Sequence, residues 1–191
     1  MIGEKEQRSL IISAAQSLFS RFGLEKTTME DIAKAAKKGK SSLYYYFKSK
    51  EEVFAEVIGK EINGLKSIIT DAVKKEDNPR NKLLAFVETR LDYLSKKADQ
   101  YTTIKDEFLK HYEFIESLTM EYSNWEKYEI RDIIEYGRKK GSFKINDSDN
   151  VLNAVYFAFK GMEYPWLIKM SRKELKSVVN ELVDILVKGM S

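Results

Sequence analysis

Apolar residues recur at three- and four-residue spacing along almost the whole 191-residue chain, and no useful length of it alternates apolar with polar as a half-buried strand must. That regularity confines the chain to packed helices. Only two prolines, Pro79 and Pro165, interrupt it, each a helix breaker through its fixed φ and missing N–H. The expected fold class is all-α. No segment repeats and no tract is of low complexity. The length suits one substantial core or a small domain joined to a larger one.

The first helix is expected from about Glu4 to Phe22, where Ile11, Ala14, Ala15, Leu18, Phe19 and Phe22 share one face and Gly23 supplies a stop. Thr28 reads as the N-cap of a short second helix carrying Met29, Ile32, Ala33 and Ala36, with Asp31 three residues on. The turn Lys37-Lys38-Gly39 leads into a third short helix, Lys40 to Phe47. Ser49 then caps a fourth that runs to about Glu76. Further helices are expected near 80–97, 100–110, 113–140, 147–169 and 172–189. Gly141-Ser142 and Asn146-Asp147-Ser148 are the breaks, and Ser171 caps the last helix.

Composition excludes several chemistries. With no cysteine, there are no disulfides, thiolate metal sites or cysteine nucleophiles, and a single histidine, His111, rules out a multi-histidine metal centre. No apolar run reaches the ~20 residues of a membrane span, so a soluble, cytoplasmic protein with no membrane partner is expected. The apolar stretch Leu10–Ala15 follows basic residues as a signal peptide would, but Gln16, Ser20 and Arg21 break it too early. Residues 1–50 hold ten Lys/Arg against five acids, in a chain whose overall formal charge is +3. A basic head on a slightly acidic body suits a polyanion-binding module on a separate scaffold.

On a helix from Lys40 to Lys48, Leu43, Tyr46 and Phe47 share one side, while Lys40, Ser41, Tyr44, Tyr45 and Lys48 share the other. The second set carries hydroxyls, phenols and ammoniums that can donate to phosphates and meet base edges in a major groove wide enough for a helix. For an arbitrary helix, adjacent tyrosines are ordinary amphipathic surface. Here, a short helix, a tight turn and a second short helix make the unit whose second helix enters that groove.

The stretch Phe22-Gly23-Leu24, Thr27-Thr28-Met29-Glu30-Asp31-Ile32-Ala33 and Lys40-Ser41-Ser42-Leu43-Tyr44-Tyr45-Tyr46-Phe47-Lys48-Ser49-Lys50-Glu51-Glu52 resembles the N-terminal signature of the TetR family of bacterial transcriptional regulators, in register and without insertions. The resemblance covers roughly a quarter of the chain. It implies a three-helix helix-turn-helix DNA-binding domain, 1–48, followed by a larger helical effector-binding and dimerisation domain, 49–191. It also implies that Thr28 bonds a phosphate, that Lys40, Ser41, Ser42 and Tyr44 face bases or nearby backbone, that Tyr45 flanks a phosphate, and that Lys50 pairs with one. Lys48 joins this set on face geometry alone. The turn departs from the family pattern: Lys37, Lys38 and Gly39 stand where a small residue, an apolar anchor and a serine are usual. A missing serine cap costs a helix about 1 kcal/mol, and two added lysines strengthen phosphate attraction and its salt dependence.

In the body, the segment Val151–Phe159 is apolar around most of its circumference, and the last helix carries Leu175, Val178, Val179, Leu182, Val183, Ile185 and Leu186. Both call for a second surface. A two-fold homodimer through Leu152, Val155, Tyr156, Phe159, Leu175, Val179, Leu182 and Leu186 supplies it, as the resemblance also implies; burial wholly within one chain is the alternative. A dimer spaces two heads about 34–36 Å apart, for a palindromic operator in double-stranded DNA. Seventeen of the 23 aromatics lie beyond residue 50. Phe86, Tyr93, Phe108, Tyr112, Trp125 and Phe159 are the candidate lining of a pocket for a small apolar or aromatic effector, against the alternative that they fill core. The run Glu126-Lys127-Tyr128-Glu129 reads as a solvated helix face, and His111 is given no role.

The expected function is a sequence-specific repressor released from its operator by that effector, with no cofactor. An enzyme finds no support, since no phosphate loop, nucleophile-base pair or metal-ligand spacing is visible. A helical module binding DNA without sequence choice is the remaining rival.

Overall fold

The computed structural model describes residues 3–100, 111–162 and 170–191, the side chains at 98–100 and 112 excepted. Those residues form eight α-helices and no strand: α1 (Glu4–Lys26), α2 (Met29–Ala35), α3 (Lys40–Tyr46), α4 (Lys50–Lys74), α5 (Pro79–Gln100), α6 (Tyr112–Lys139), α7 (Ser148–Gly161) and α8 (Arg172–Met190). The helix expected at 100–110 lies outside the described residues, as does 163–169. None of the described helices is long and apolar enough to cross a membrane.

Helix starts are set where capping chemistry sets them. Thr28 and Asp31 form a reciprocal capping box on α2, and Ser171 and Glu174 form another on α8. Asp147 accepts from the backbone N–H of Asp149 and Asn150 at the head of α7, at 3.1 and 3.0 Å. Ser49 Oγ accepts from Glu52 N at 3.2 Å, and the Glu52 carboxylate accepts from Lys48 N at 2.7 Å. The stop expected at Gly23 is instead a kink. Gly23 takes φ 80°, and the helix resumes for one further turn to Lys26. Thr27, itself buried, returns its hydroxyl to the Gly23 carbonyl at 2.7 Å and holds that turn. Phe22, expected on the apolar face, is the last residue before the kink and is 43% exposed with the Arg21 guanidinium over its ring.

The chain divides into two compact units. One comprises Met1–Asn63 with Lys97–Thr119, the other Gly64–Lys96 with Met120–Ser191. In the first, Ile11, Ala15 and Phe19 of α1 pack with Ile32 and Ala33 of α2, Leu43 and Phe47, and Val53, Phe54 and Val57 of α4. This core extends past residue 48, since α4 supplies one of its walls. Phe114, Ile115 and Leu118 of α6 pack against it, with Phe114 stacked on Phe54 at 6.1 Å between centroids.

The second unit is built on Leu65, Ile69 and Val73 of α4, Leu83, Phe86, Val87 and Leu91 of α5, Ile130, Ile133 and Ile134 of α6, and the inner faces of α7 and α8. Leu152, Val155, Tyr156, Phe159, Leu175 and Val179, expected at a dimer interface, are buried here by their own chain. Leu182 and Leu186 are half-buried. The apolar residues left outside are different ones: Phe157 is 63% exposed on α7, and Val178 and Ile185 are 42% and 60% exposed on α8. The reason is phase. Residues 152, 155, 156 and 159 form one stripe of α7 and meet the intrachain core, while 154, 157 and 161 form the opposite stripe.

Candidate nucleic-acid interface

The α2 and α3 pair is held by a turn that the sequence makes in an unusual way. Lys37 N–H donates to Lys34 O at 3.1 Å and Lys38 N–H to Ala33 O at 2.8 Å, the two bonds of a Schellman motif. Its left-handed position is filled by Lys37, at φ 54°, and not by the glycine two residues later. Gly39 is the N-cap of α3 with extended backbone, φ −70° and ψ 150°, and offers no side-chain cap. Against glycine, a serine or threonine cap is worth only a few tenths of a kcal/mol, so the loss at this position is smaller than the missing serine suggested.

Helix α3 is seated by Leu43, fully buried, and by Phe47 just beyond its C-terminus. The Arg8 guanidinium from α1 lies over the Phe47 ring at 4.5 Å and ion-pairs with Glu56 of α4 at 2.8 Å, pinning three elements around that anchor. With Leu43 and Phe47 inward, Lys40, Ser41, Ser42, Tyr44, Tyr45 and Lys48 are all exposed, and Tyr46 is half-buried. Tyr45 is the most projecting of the aromatics here, 75% exposed against 44% for Tyr44, and its ring meets Tyr46 edge-on at 5.1 Å.

Three of the residues assigned to phosphates or bases have protein partners. The Lys40 ammonium is ion-paired with Glu30 on α2; this hydrogen bond holds the Glu30 carboxyl below the usual range and raises the ammonium. Thr28 is exposed, but its hydroxyl donates to the Asp31 carboxylate at 2.6 Å, which pulls the Asp31 carboxyl down. Lys50 is half-buried and donates from Nζ to the carbonyls of Leu24 and Glu25 at 2.9 and 3.1 Å, stapling the kinked end of α1 to the start of α4. Sequence spacing shows which side of a helix a residue occupies. It does not show a partner supplied by a neighbouring helix.

The arrangement presents hydroxyl and phenol donors on an outward helix, flanked by the basic turn Lys37-Lys38 and by Lys48. It can recognise a polar, negatively charged surface by shape and hydrogen bonds.

The aromatics expected to line a pocket fall into the second unit, apart from two. Phe108 lies outside the described residues, and so does the side chain of Tyr112. Phe86 and Phe159 are buried and stacked on each other at 6.2 Å; Tyr93 and Trp125 are half-buried. Sequence reading missed the polar group beside them. Arg90 and Glu126 are ion-paired and 2% and 1% exposed, although Glu126 was expected on a solvated face. A signal existed: Arg90 continues the stripe Leu83, Phe86, Val87, and Glu126 falls between Tyr122 and Ile130 at four-residue steps. A charge in an apolar slot marks a buried polar group.

Comparison with known proteins bears on the same residues. Residues 11–57 match the family model described as bacterial regulatory proteins, tetR family. The HTH-type transcriptional repressor KstR2 of Rhodococcus jostii is 31% identical over 146 residues, covering 74% of this chain and 70% of that protein. The probable acrEF/envCD operon repressor of Escherichia coli K12 is 26% identical over 189 residues, 93% of this chain and 83% of its own. A transcriptional regulator from Cytophaga hutchinsonii superposes with a TM-score of 0.73 at 25% identity, over 95% of this chain and 97% of that structure.

Proposed function

This chain belongs to the TetR family of bacterial transcriptional regulators, and from that premise we propose that it is a homodimeric repressor that reads a palindromic operator through α3 and leaves it when a small molecule binds the body. It is a DNA-binding regulator and not an enzyme. The observation that carries the finer reading is the outward face of α3, where Ser41, Ser42, Tyr44 and Tyr45 stand exposed on a helix anchored by Leu43 and Phe47. A recognition helix needs this division between seat and reader.

In this reading Ser41, Ser42 and Tyr44 meet base edges, and Tyr45, Lys48, Lys37 and Lys38 meet the backbone. Lys40, Thr28 and Lys50 reach phosphate by exchanging their present partners for it. Dimerisation uses the uncovered stripes of α7 and α8, with Ala154, Phe157, Val178 and Ile185 at their centres, and with Leu182 and Leu186 at the edge. The protein acts in the cytoplasm, where its DNA is. The effector has an apolar or aromatic body and shifts operator affinity through α4, α5 and α6, the helices that contribute residues to both units. Coupling of this kind requires the effector to bind one head spacing better than the other.

Selection of bound fragments from random duplex DNA tests the proposal. A two-fold symmetric consensus supports both dimer and reader. Enrichment of no sequence, with binding that collapses uniformly as salt rises, would identify a phosphate-only binder instead.

A further inference from the structure

We infer that Arg8 is a positioning residue for operator recognition: from α1 it clamps the C-terminal end of α3, is itself held by Glu56 of α4, and so sets the angle of the reading face without touching a base. This rests on α3 as the reader of the operator and deepens that reading. Helix α3 has seven residues and no side-chain cap, too few to hold a helix in isolation. Leu43 and Phe47 seat it in the head core, with half-buried Tyr46 packed against the same core. Apolar contact is non-directional, so it keeps α3 in place without fixing where the helix points.

Direction comes from polar ties, and among the described residues two of them join α3 to other helices. One is at its N-terminal end, where Lys40 is ion-paired with Glu30 of α2 and both side chains are exposed. In the binding mode proposed above, that tie is exchanged for phosphate. The other is at the opposite end. Arg8 Nη1 donates to the carbonyl of Tyr46, the last residue of α3, at 3.5 Å, and the guanidinium lies over the Phe47 ring at 4.5 Å. A cation there also meets the negative end of the helix dipole.

Arg8 is in turn fixed from α4. Its Nη2 donates to Glu56 Oε1 at 2.8 Å, so one planar fork serves a carbonyl, a ring and a carboxylate together. An ammonium is a point charge and cannot reproduce that geometry. Once DNA holds Lys40, the Arg8 clamp is the polar tie that remains on α3.

Magnitudes separate positioning from stability. The Arg8 and Glu56 side chains are 37% and 43% exposed, and an ion pair at such exposure adds little to stability. A binding constellation, by contrast, works only within about 0.5 Å and 10–20° of its productive geometry. Loss of the clamp should therefore be read as lost sequence preference, in a head that still folds.

The test uses the full chain with Arg8→Met, which keeps an unbranched side chain beside Phe47, and with Arg8→Lys and Glu56→Gln. Anisotropy measures the selected operator and random duplex across a salt series, and amide hydrogen exchange is followed at Phe47, whose N–H donates to Leu43 O. Arg8→Met should lower the preference for operator over random duplex at least tenfold, with the salt slope unchanged. Exchange at Phe47 should rise at least fivefold, while exchange at Ile32 and Val57 stays as in the wild type. Glu56→Gln should lose about threefold in preference, and Arg8→Lys should fall between wild type and Arg8→Met. Equal losses on both DNAs with a shallower salt slope would make Arg8 a phosphate contact and overturn the inference. So would faster exchange throughout the head with a matching drop in melting temperature, which is the mark of a purely structural role. Unchanged exchange at Phe47, or an Arg8→Lys variant equal to wild type, overturns the clamp as well. If selection with the wild type returns no consensus, it is α3 as reader that fails, and exchange at Phe47 still decides whether Arg8 holds the helix.

Discussion

Lys40 on α3 is ion-paired across the turn with Glu30 on α2, so the recognition helix begins with its own cation already neutralised by the preceding helix. Both side chains are solvent-exposed, and a pair of that kind adds little to stability. Its consequence lies in binding. In the proposed mode of binding, DNA draws the ammonium away from Glu30, and a carboxylate then remains beside the phosphates. Glu30 is therefore expected to restrain attraction to arbitrary duplex while correct base contacts overcome it.

Glu30→Gln should raise affinity for random-sequence duplex several-fold at low salt and steepen the salt dependence by about one phosphate contact. Discrimination between the selected operator and random DNA should fall. Lys40→Gln should do the opposite to random-duplex affinity. Filter binding or fluorescence anisotropy across a salt series checks both, and an unchanged slope in Glu30→Gln would place Lys40 away from phosphate.

Substitutions at Tyr44 and Lys50 should separate reading from anchoring. Tyr44→Ala removes an exposed ring, so the melting temperature should move little, within about 0.5 kcal/mol of stability, while preference for the selected operator drops markedly. Lys50→Ala should differ in kind. Its ammonium bonds the Leu24 and Glu25 carbonyls, so affinity for all sequences and the stability of the head should fall together. Equal losses on specific and random DNA in Tyr44→Ala would count against base readout by that residue.

The turn between α2 and α3 carries correctable strain. A non-glycine residue in the left-handed region costs about 1 kcal/mol, and Lys37 occupies it at φ 54°. Lys37→Gly should stabilise the protein by roughly 0.5–1 kcal/mol, part of the relief being lost to the added freedom of glycine when unfolded. Gly39→Ser has open space for its side chain and should add a few tenths more by capping α3. Urea denaturation of single and double variants checks the size. Since Lys37→Gly also deletes a charge, DNA affinity should weaken even as stability rises.

Acid sensitivity follows from the caps. Hydrogen bonds from Thr28 pull the Asp31 carboxyl down, those from Ser171 do so for Glu174, and Arg80 does so for Asp184. A carboxyl lowered in the folded state contributes stability that is fully present above its unfolded value, about 3.9 for Asp and 4.3 for Glu. That contribution is lost as pH falls through the lower folded value. Melting temperature should hold from pH 7 to about 5 and decline below about 4, and less steeply in a Glu174→Gln variant. A flat profile down to pH 3 would mean that these caps do not contribute.

Periodicity made the helices and the outward face of α3 legible, because both depend on which residues are apolar and how they are spaced. Thr28, Asp147 and Ser171 were readable as caps for the same local reason. What spacing could not supply was the partner across a gap: Glu30 for Lys40, the α1 carbonyls for Lys50, Arg90 for Glu126. The apolar excess of the Val151–Phe159 segment was visible, but its division between intrachain core and open surface was not. Val155 and Phe157 look alike in sequence, and only the phase of α7 against α5 and α6 tells them apart.

The close of α6 offers the sharpest packing test. Beyond its last turn the chain reverses at Gly141, φ 71°, and Phe143 folds back onto Gly137, whose missing side chain leaves room for the ring. A Cβ built at Gly137 falls 2.1 Å from Phe143 Cδ2 and 2.3 Å from Cε2, and the ring it meets is buried. The helical backbone itself would welcome alanine, by about 1 kcal/mol. Overpacking of this order costs about 1–3 kcal/mol or more, so the clash should win and Gly137→Ala should destabilise the protein by about 1–2 kcal/mol. The same reversal lets Lys144 N–H donate to Met190 O at the end of α8, at 2.6 Å, so displacing Phe143 should also loosen the C-terminal turn. Adding Phe143→Leu to Gly137→Ala should recover part of the loss, while Phe143→Leu alone should cost stability through the space it leaves. A double variant no better than Gly137→Ala would show that the ring is not what the glycine accommodates.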